Sequence, residues 1–182
     1  LLPLTQTEYV VGAESRDDTG ELHAPAEAAP HNLQAFTCCF AMDYLPGEDH
    51  NIDQPAEYDF WRDYVPPLTP PWPGKLFSFV YSNPSTLEPR NYGFDADKAT
   101  GFFFYRRLID RKNFRDGAYP GDITLVNWPM NDYLLGNLLD VPQAEANAHL
   151  ARAKQLSLSL LYWLQTEAPR PDGGVGWKGL RL

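Results

Sequence analysis

Hydrophobic and polar residues alternate with two different periods along this chain. Residues 34–45, QAFTCCFAMDYL, repeat every second position, so Phe36, Cys38, Phe40, Met42 and Tyr44 share one face, as a half-buried strand requires. Residues 56–65, AEYDFWRDYV, switch to helical spacing and set Tyr58, Trp61 and Val65 on one side. KLFSFVYS, residues 75–82, returns to strand spacing with Phe77, Phe79 and Tyr81 aligned. GFFFYRRLID (101–110) and DITLVNW (122–128) are two further strands, and the Asp116-Gly117 and Pro120-Gly121 turn pairs between them predict antiparallel pairing.

The strongest helix spans 140–168. Asp140 and Gln143 form a capping-box pattern, Pro142 falls in the first turn, and Pro169 stops the run. Ala146, Leu150, Ala153, Leu160 and Leu164 make its apolar stripe, with Glu145, His149 and Arg152 facing away. LSLSLLYWL, near its end, is apolar almost all round and predicts burial on several sides.

Residues 1–33 are polar, punctuated by Gly and Pro, and predicted irregular. VPPLTPPWPG contains a PxxP pattern but reads as a rigid connector inside the domain. NPSTLEPRNYGFDADKAT (83–100) is a loop long enough to be functional. The fold class is α+β: a single domain with a mostly antiparallel sheet and a long C-terminal helix.

Composition narrows the partners. The 5 Trp, 10 Tyr and 10 Phe, together with 17 Pro, suggest a loop-rich fold with stiff side chains of the kind that line ligand sites. A formal charge of −9 with no basic stripe argues against nucleic acid. No stretch approaches the roughly 20 apolar residues of a membrane span. The opening LLPLTQTEYVVG has neither the basic nor the apolar region of a signal peptide, and residue 1, which is not Met, is not expected to be the natural start. Adjacent Cys38 and Cys39 would point to opposite faces of a strand, so they are expected to be buried free thiols, which leaves the compartment open.

The closing GGVGWKGLRL spells G-x-G-x-x-G at Gly174, Gly176 and Gly179. The fingerprint works only between a buried strand and a helix. Here two prolines precede it and three residues follow, so it reads as a glycine-rich loop leaving the long helix. LVNWPMNDYLLG is the densest polar cluster on an apolar background. Asn127 and Asn131 could orient a substrate, and Asp132 could accept a proton or bind a sugar hydroxyl. A turn held by its own Asn and Asp side chains accounts for the same residues. In FYRRLIDR, Arg106 and Arg107 take opposite faces, and an inward arginine meets either a carboxylate of the protein or an anionic ligand. Asp49, His50 and Asp53 are a loose metal-ligand grouping better explained as a solvated turn. The serines have no nucleophile elbow or base.

Whole segments of the chain resemble one family. TEYVVGAESRDDTGE, QAFTCCFAMDYLPGEDH, YDFWRDYVPPLTPPWPG, YRRLIDRKNF, GDITLVNWPMNDY and AKQLSLSLLYWLQTEAPRPDGG are similar to the interior of bacterial FAD-dependent oxidoreductases. The resemblance implies the substrate-side part of a flavoprotein fold, a cap region in which a small-molecule substrate would be positioned to deliver hydride to FAD. It implies that the glycine fingerprint lies before Leu1 and that the main FAD-binding residues belong to a missing portion of the same polypeptide. The 182 residues alone are then not expected to turn over substrate. Tyr105, Arg106, Asn127, Asn131 and Asp132 are the candidates for the flavin-facing or substrate-facing wall. The rival is a carbohydrate-binding or carbohydrate-hydrolysing module, using stacked aromatics and carboxylates such as Glu88 and Asp95. A third alternative is a scaffold piece that exposes apolar surface where its partner domain should sit.

Overall fold

Helical and strand segments follow the hydrophobic rhythm, but several stop earlier than it suggests. The computed structural model describes residues 2–182. The chain divides into two compact units, Leu1–Phe36 and Thr37–Leu182. The first is mostly irregular, as its composition predicts, apart from a 3-10 turn at Leu2–Thr5 and one short helix. Its short helix α1 (Arg16–Thr19) starts at Ser15, whose Oγ accepts the Asp18 N–H at 3.2 Å, and ends at Gly20 with φ 69°. An antiparallel bridge joins Ala13 to Ala29.

Beyond it the order is β1 (Phe36–Thr37), β2 (Phe40–Tyr44), α2 (Tyr58–Asp63), β3 (Val80–Ser82), β4 (Pro89–Asn91), β5 (Phe94–Asp95) and β6 (Thr100–Gly101). Then come α3 (Phe102–Tyr105), β7 (Arg107–Ile109), β8 (Ile123–Val126), β9 (Asp132–Tyr133), α4 (Gln143–Thr166) and β10 (Leu180–Arg181). One four-stranded antiparallel sheet runs β10-β2-β8-β7, with Phe40 opposite Val126 and Arg107 opposite Thr124. β3–β4 and β5–β6 are small antiparallel ribbons. The mixed helices, antiparallel sheets and 24-residue α4 bear out the α+β expectation.

The core lies between α4 and the sheet. Ala153, Leu156, Leu160, Leu161 and Leu164 of α4 are buried, as are Met42, Val126, Trp128 and Leu180. Aromatic rings extend it: Phe94 meets Trp177 edge-on at 4.7 Å, Phe79 lies 5.2 Å from Trp163, and Phe102 lies 5.2 Å from Trp128. The indole N–H groups of Trp61, Trp128 and Trp177 are buried without a hydrogen-bond partner among the described residues. No helix among the described residues is long and apolar enough to cross a membrane.

Several expectations need correction. The 34–45 segment is two strands, because at Cys38 the carbonyl takes the Ser157 hydroxyl at 2.7 Å instead of a strand partner. Both thiols are free, but Cys38 is only half-buried and Cys39 is exposed. Val65 is exposed and lies outside α2, which ends at Asp63; Val65 precedes Pro66, which disfavours helical backbone. In KLFSFVYS only Val80–Ser82 is strand, while Phe77 and Phe79 are buried against Trp163.

In 101–110 the strand is confined to Arg107–Ile109, and Phe102–Tyr105 wind into α3. Phe102 and Phe103 are neighbours yet both buried. A strand would send them to opposite faces, whereas one helical turn sends both inward. β7 and β8 do pair antiparallel.

In α4 the Asp140–Gln143 box does not form. Asp140 has φ 53°, and the N-cap is Pro142 with no side-chain cap. Leu150 is exposed and lines an apolar groove with Phe40 and Leu158. His149 and Arg152 do not face away: His149 Nδ1 is 2.9 Å from the Tyr133 hydroxyl, and Arg152 Nε donates to Glu57 at 3.1 Å. The end of α4 is buried on several sides, as LSLSLLYWL predicts.

Candidate functional site

Three elements bring most of the sequence candidates together. α3 begins at Gly101, whose φ of 62° and crossing with Gly93 explain the glycine: a Cβ there would lie 2.3 Å from the Gly93 oxygen. Phe102 and Phe103 anchor the turn, and Tyr105 and Arg106 emerge exposed at its end. The Arg106 guanidinium lies 5.2 Å over the Tyr105 ring, and its Nε donates to the Asn127 carbonyl at 3.1 Å. The Arg106 carbonyl accepts the Leu125 N–H at 3.0 Å, so β8 fixes the backbone at Arg106.

β8 leads through Asn127 into a 3-10 turn, Pro129–Asn131, that delivers Asp132. Asn131 is fully buried. Its Oδ1 accepts the Trp128 N–H at 2.9 Å, and its Nδ2 lies 3.4 Å from each of the Cys38 carbonyl, the Val126 carbonyl and the Ser157 hydroxyl. Its amide is thus committed to the interior, where it holds the turn that presents Asp132. The Asp132 carboxylate accepts the Thr37 hydroxyl. Burial pushes the Asp132 carboxyl above the ordinary carboxylate range, opposed by the Thr37 hydrogen bond and the Arg106 charge.

Tyr105 also lines an aromatic cleft of about 200 Å³, together with Trp72, Tyr81, Tyr92, Phe102 and Pro129. Tyr92 meets Phe102 at 5.1 Å and Tyr105 at 5.8 Å, both edge-on. Of the sequence candidates, Tyr105 lines this cleft directly. Arg106 follows it in the chain, and Pro129 opens the turn that ends at Asp132. Trp72 and Tyr92 were not singled out from the sequence, and Tyr81 was read there as one face of a strand and not as a site residue; Trp72 sits in the proline-rich connector, where the only signal was a tryptophan among prolines. Arg107 belongs to an internal ion pair, with Nη1 2.8 Å from Asp122 and Nη2 2.9 Å from Asp110. Asp95 is buried and accepts the Lys98 N–H at 3.2 Å, which ties it to its own turn, while Glu88 is exposed. His50 lies 2.6 Å from Glu48, and no group of three His, Cys, Asp or Glu among the described residues is placed to hold a metal.

A dinucleotide would need a pyrophosphate cradle. Gly176 has φ 68°, and a Cβ there would lie 2.3 Å from the Gln165 oxygen; one on Gly179 would lie 2.2 Å from the Leu45 oxygen. Both glycines serve close backbone crossings, and the described element that follows them is the strand β10. All described strand pairs among β2–β8 and β10 are antiparallel, so none of these pairs belongs to a parallel βαβ unit whose helix N-terminus would face phosphates. The described residues therefore do not fit the phosphate half of FAD.

No curated protein and no solved structure matches the chain at a significant level. A family model, described as FAD dependent oxidoreductase, matches residues 1–182, the whole length of the sequence. On that match over its whole length, this chain belongs to the FAD-dependent oxidoreductase family.

Proposed function

We propose that these residues form the substrate-side wall of an FAD-dependent oxidoreductase, with the flavin gripped by another portion of the same polypeptide. The observation that supports this most directly is the chain of contacts from the aromatic cleft, which Tyr105 lines, to Arg106 over the Tyr105 ring and on to Asp132, on which the Arg106 charge acts. In this family FAD supplies the redox chemistry; the task assigned here is binding, orientation and proton handling. The cleft, about 200 Å³, takes a small molecule or one ring of a larger one, with Tyr92, Tyr105 and Phe102 excluding water. Arg106 presents a fixed cation over Tyr105 to an electron-rich substrate atom. Asp132, ionised above its raised pKa, accepts the proton that a substrate hydroxyl or amine loses on oxidation.

The polypeptide that extends these residues on both sides is expected to be yellow. Its flavin band should bleach anaerobically with one member of a panel of alcohols, amines and hydroxy acids. Asp132→Asn should slow that bleaching by about 10²- to 10⁴-fold at unchanged FAD content. A colourless full-length protein indifferent to added FAD sinks the assignment, and wild-type bleaching by the Asn variant removes Asp132 from the chemistry.

A further inference from the structure

The middle residues of α3, Phe103 and Phe104, line a second cleft of about 670 Å³ that shares no lining residue with the aromatic one. Buried Phe103 and Ala96 give it an apolar floor. Its charged lining is Lys98, Arg107, Arg111 and Lys112 against Asp97 and Asp122, an excess of two positive charges in a chain of formal charge −9.

The carboxylates here are already engaged. Asp122 Oδ2 takes Arg107, and its Oδ1 takes the Arg111 backbone N–H at 3.0 Å. Asp110 takes Arg107 and the Lys112 backbone N–H at 3.1 Å. Asp97 takes the Tyr44 hydroxyl at 2.9 Å and Arg170 at 3.1 Å. Asp110 and Asp122 therefore pin the backbone of the 3-10 turn Arg111–Asn113 while leaving its two cationic side chains unneutralised. Among the described residues the Arg111 guanidinium donates only to the Pro120 carbonyl, at 3.0 Å, and no carboxylate lies within ion-pair distance of Arg111 or Lys112. A pair of unneutralised cations on a pinned backbone turn, beside an apolar floor, is the complement of an amphipathic anion.

We infer that this cleft binds a small organic anion, a carboxylate or phosphate ester with an apolar body. The head group meets Arg111 and Lys112, and the body lies along Phe103, Phe104 and Ala96. The site is independent of the substrate wall around Asp132 and stands or falls separately.

Titration of the chain with hexanoate, hexyl phosphate and hexanol, followed by amide NMR shifts at Gly101 and Gly121, tests it. Either anion should bind saturably and at least about tenfold more tightly than hexanol, the loss of one charge-assisted contact. The tighter of the two names the head group. Lys112→Gln, on an exposed turn, should weaken anion binding about tenfold and leave hexanol binding unchanged. Tyr105→Ala, in the other cleft, should leave both unchanged. Equal binding of hexanol and the anions, no saturable shift, or an unaltered Lys112→Gln titration overturns the inference.

Discussion

Gln165 is fully buried, yet its amide serves the backbone of two other segments. Its Oε1 accepts the Ile52 N–H at 3.0 Å, and its Nε2 donates to the His50 and Leu180 carbonyls at 2.7 and 2.8 Å. Gln165→Leu keeps most of the volume but strands one N–H and two carbonyls. A buried group left without its partner costs about 1–3 kcal/mol, so the three together set an upper range of about 3–9 kcal/mol. Two facts lower it: His50 and Ile52 are only half-buried, so water can replace part of the loss, and the new leucine returns about 1–2 kcal/mol of apolar burial. The net destabilisation is about 3 kcal/mol. Urea unfolding followed by far-ultraviolet circular dichroism reads it directly. With a slope of about 2 kcal/mol per molar urea, the midpoint should fall by about 1.5 M. A midpoint within about 0.5 M of wild type, at an unchanged slope, would mean that the three hydrogen bonds contribute little, and the argument would fail.

Two further outcomes follow from the geometry. Burial raises the Asp132 pKa in the folded state, so folding favours its protonated form; the associated stability is complete below the unfolded carboxylate pKa and is lost as pH rises through the folded one. Asp132→Asn should therefore gain stability relative to wild type as pH climbs above the ordinary carboxylate range, and a stability difference flat from acid to neutral pH would contradict this. Gly176→Ala places a Cβ 2.3 Å from the Gln165 oxygen at φ 68°, so it should lose at least about 2 kcal/mol in the same urea assay, and a loss under about 0.5 kcal/mol would refute the close crossing.

The long helix was legible because its second half is a sustained apolar run ended by Pro169, and β8 because ITLV sits between turn signals. The FFFYRR run was not: a short apolar stretch carries no period of its own, and burial of adjacent Phe102 and Phe103 decided for a turn of helix. The polar side of α4 misled for a related reason. His149 and Arg152 are long enough to reach buried or half-buried partners, Tyr133 and Glu57, so polarity did not mean solvent. Of the site, the Asn127–Asp132 cluster and the Tyr105–Arg106 pair were visible as polar residues among apolar ones. The division of labour between them was not, since only tertiary contacts show that Asn131 turns inward while Tyr105 lines a cleft. Gln165 left no mark in the sequence beyond one amide at the end of an apolar run.

The tryptophans carry a last consequence. Trp61, Trp128 and Trp177 sit buried among other rings, with no hydrogen-bond partner for their indole N–H groups among the described residues. Excited indole relaxes by reorienting mobile polar neighbours; burial keeps water from these rings, and the guanidiniums over Trp61 and Trp177, those of Arg152 and Arg170, are held in ion pairs with Glu57 and with Asp97 and Asp172. The native protein should therefore emit towards the blue and shift red as water reaches those rings, a built-in optical label for every transition that opens its interior.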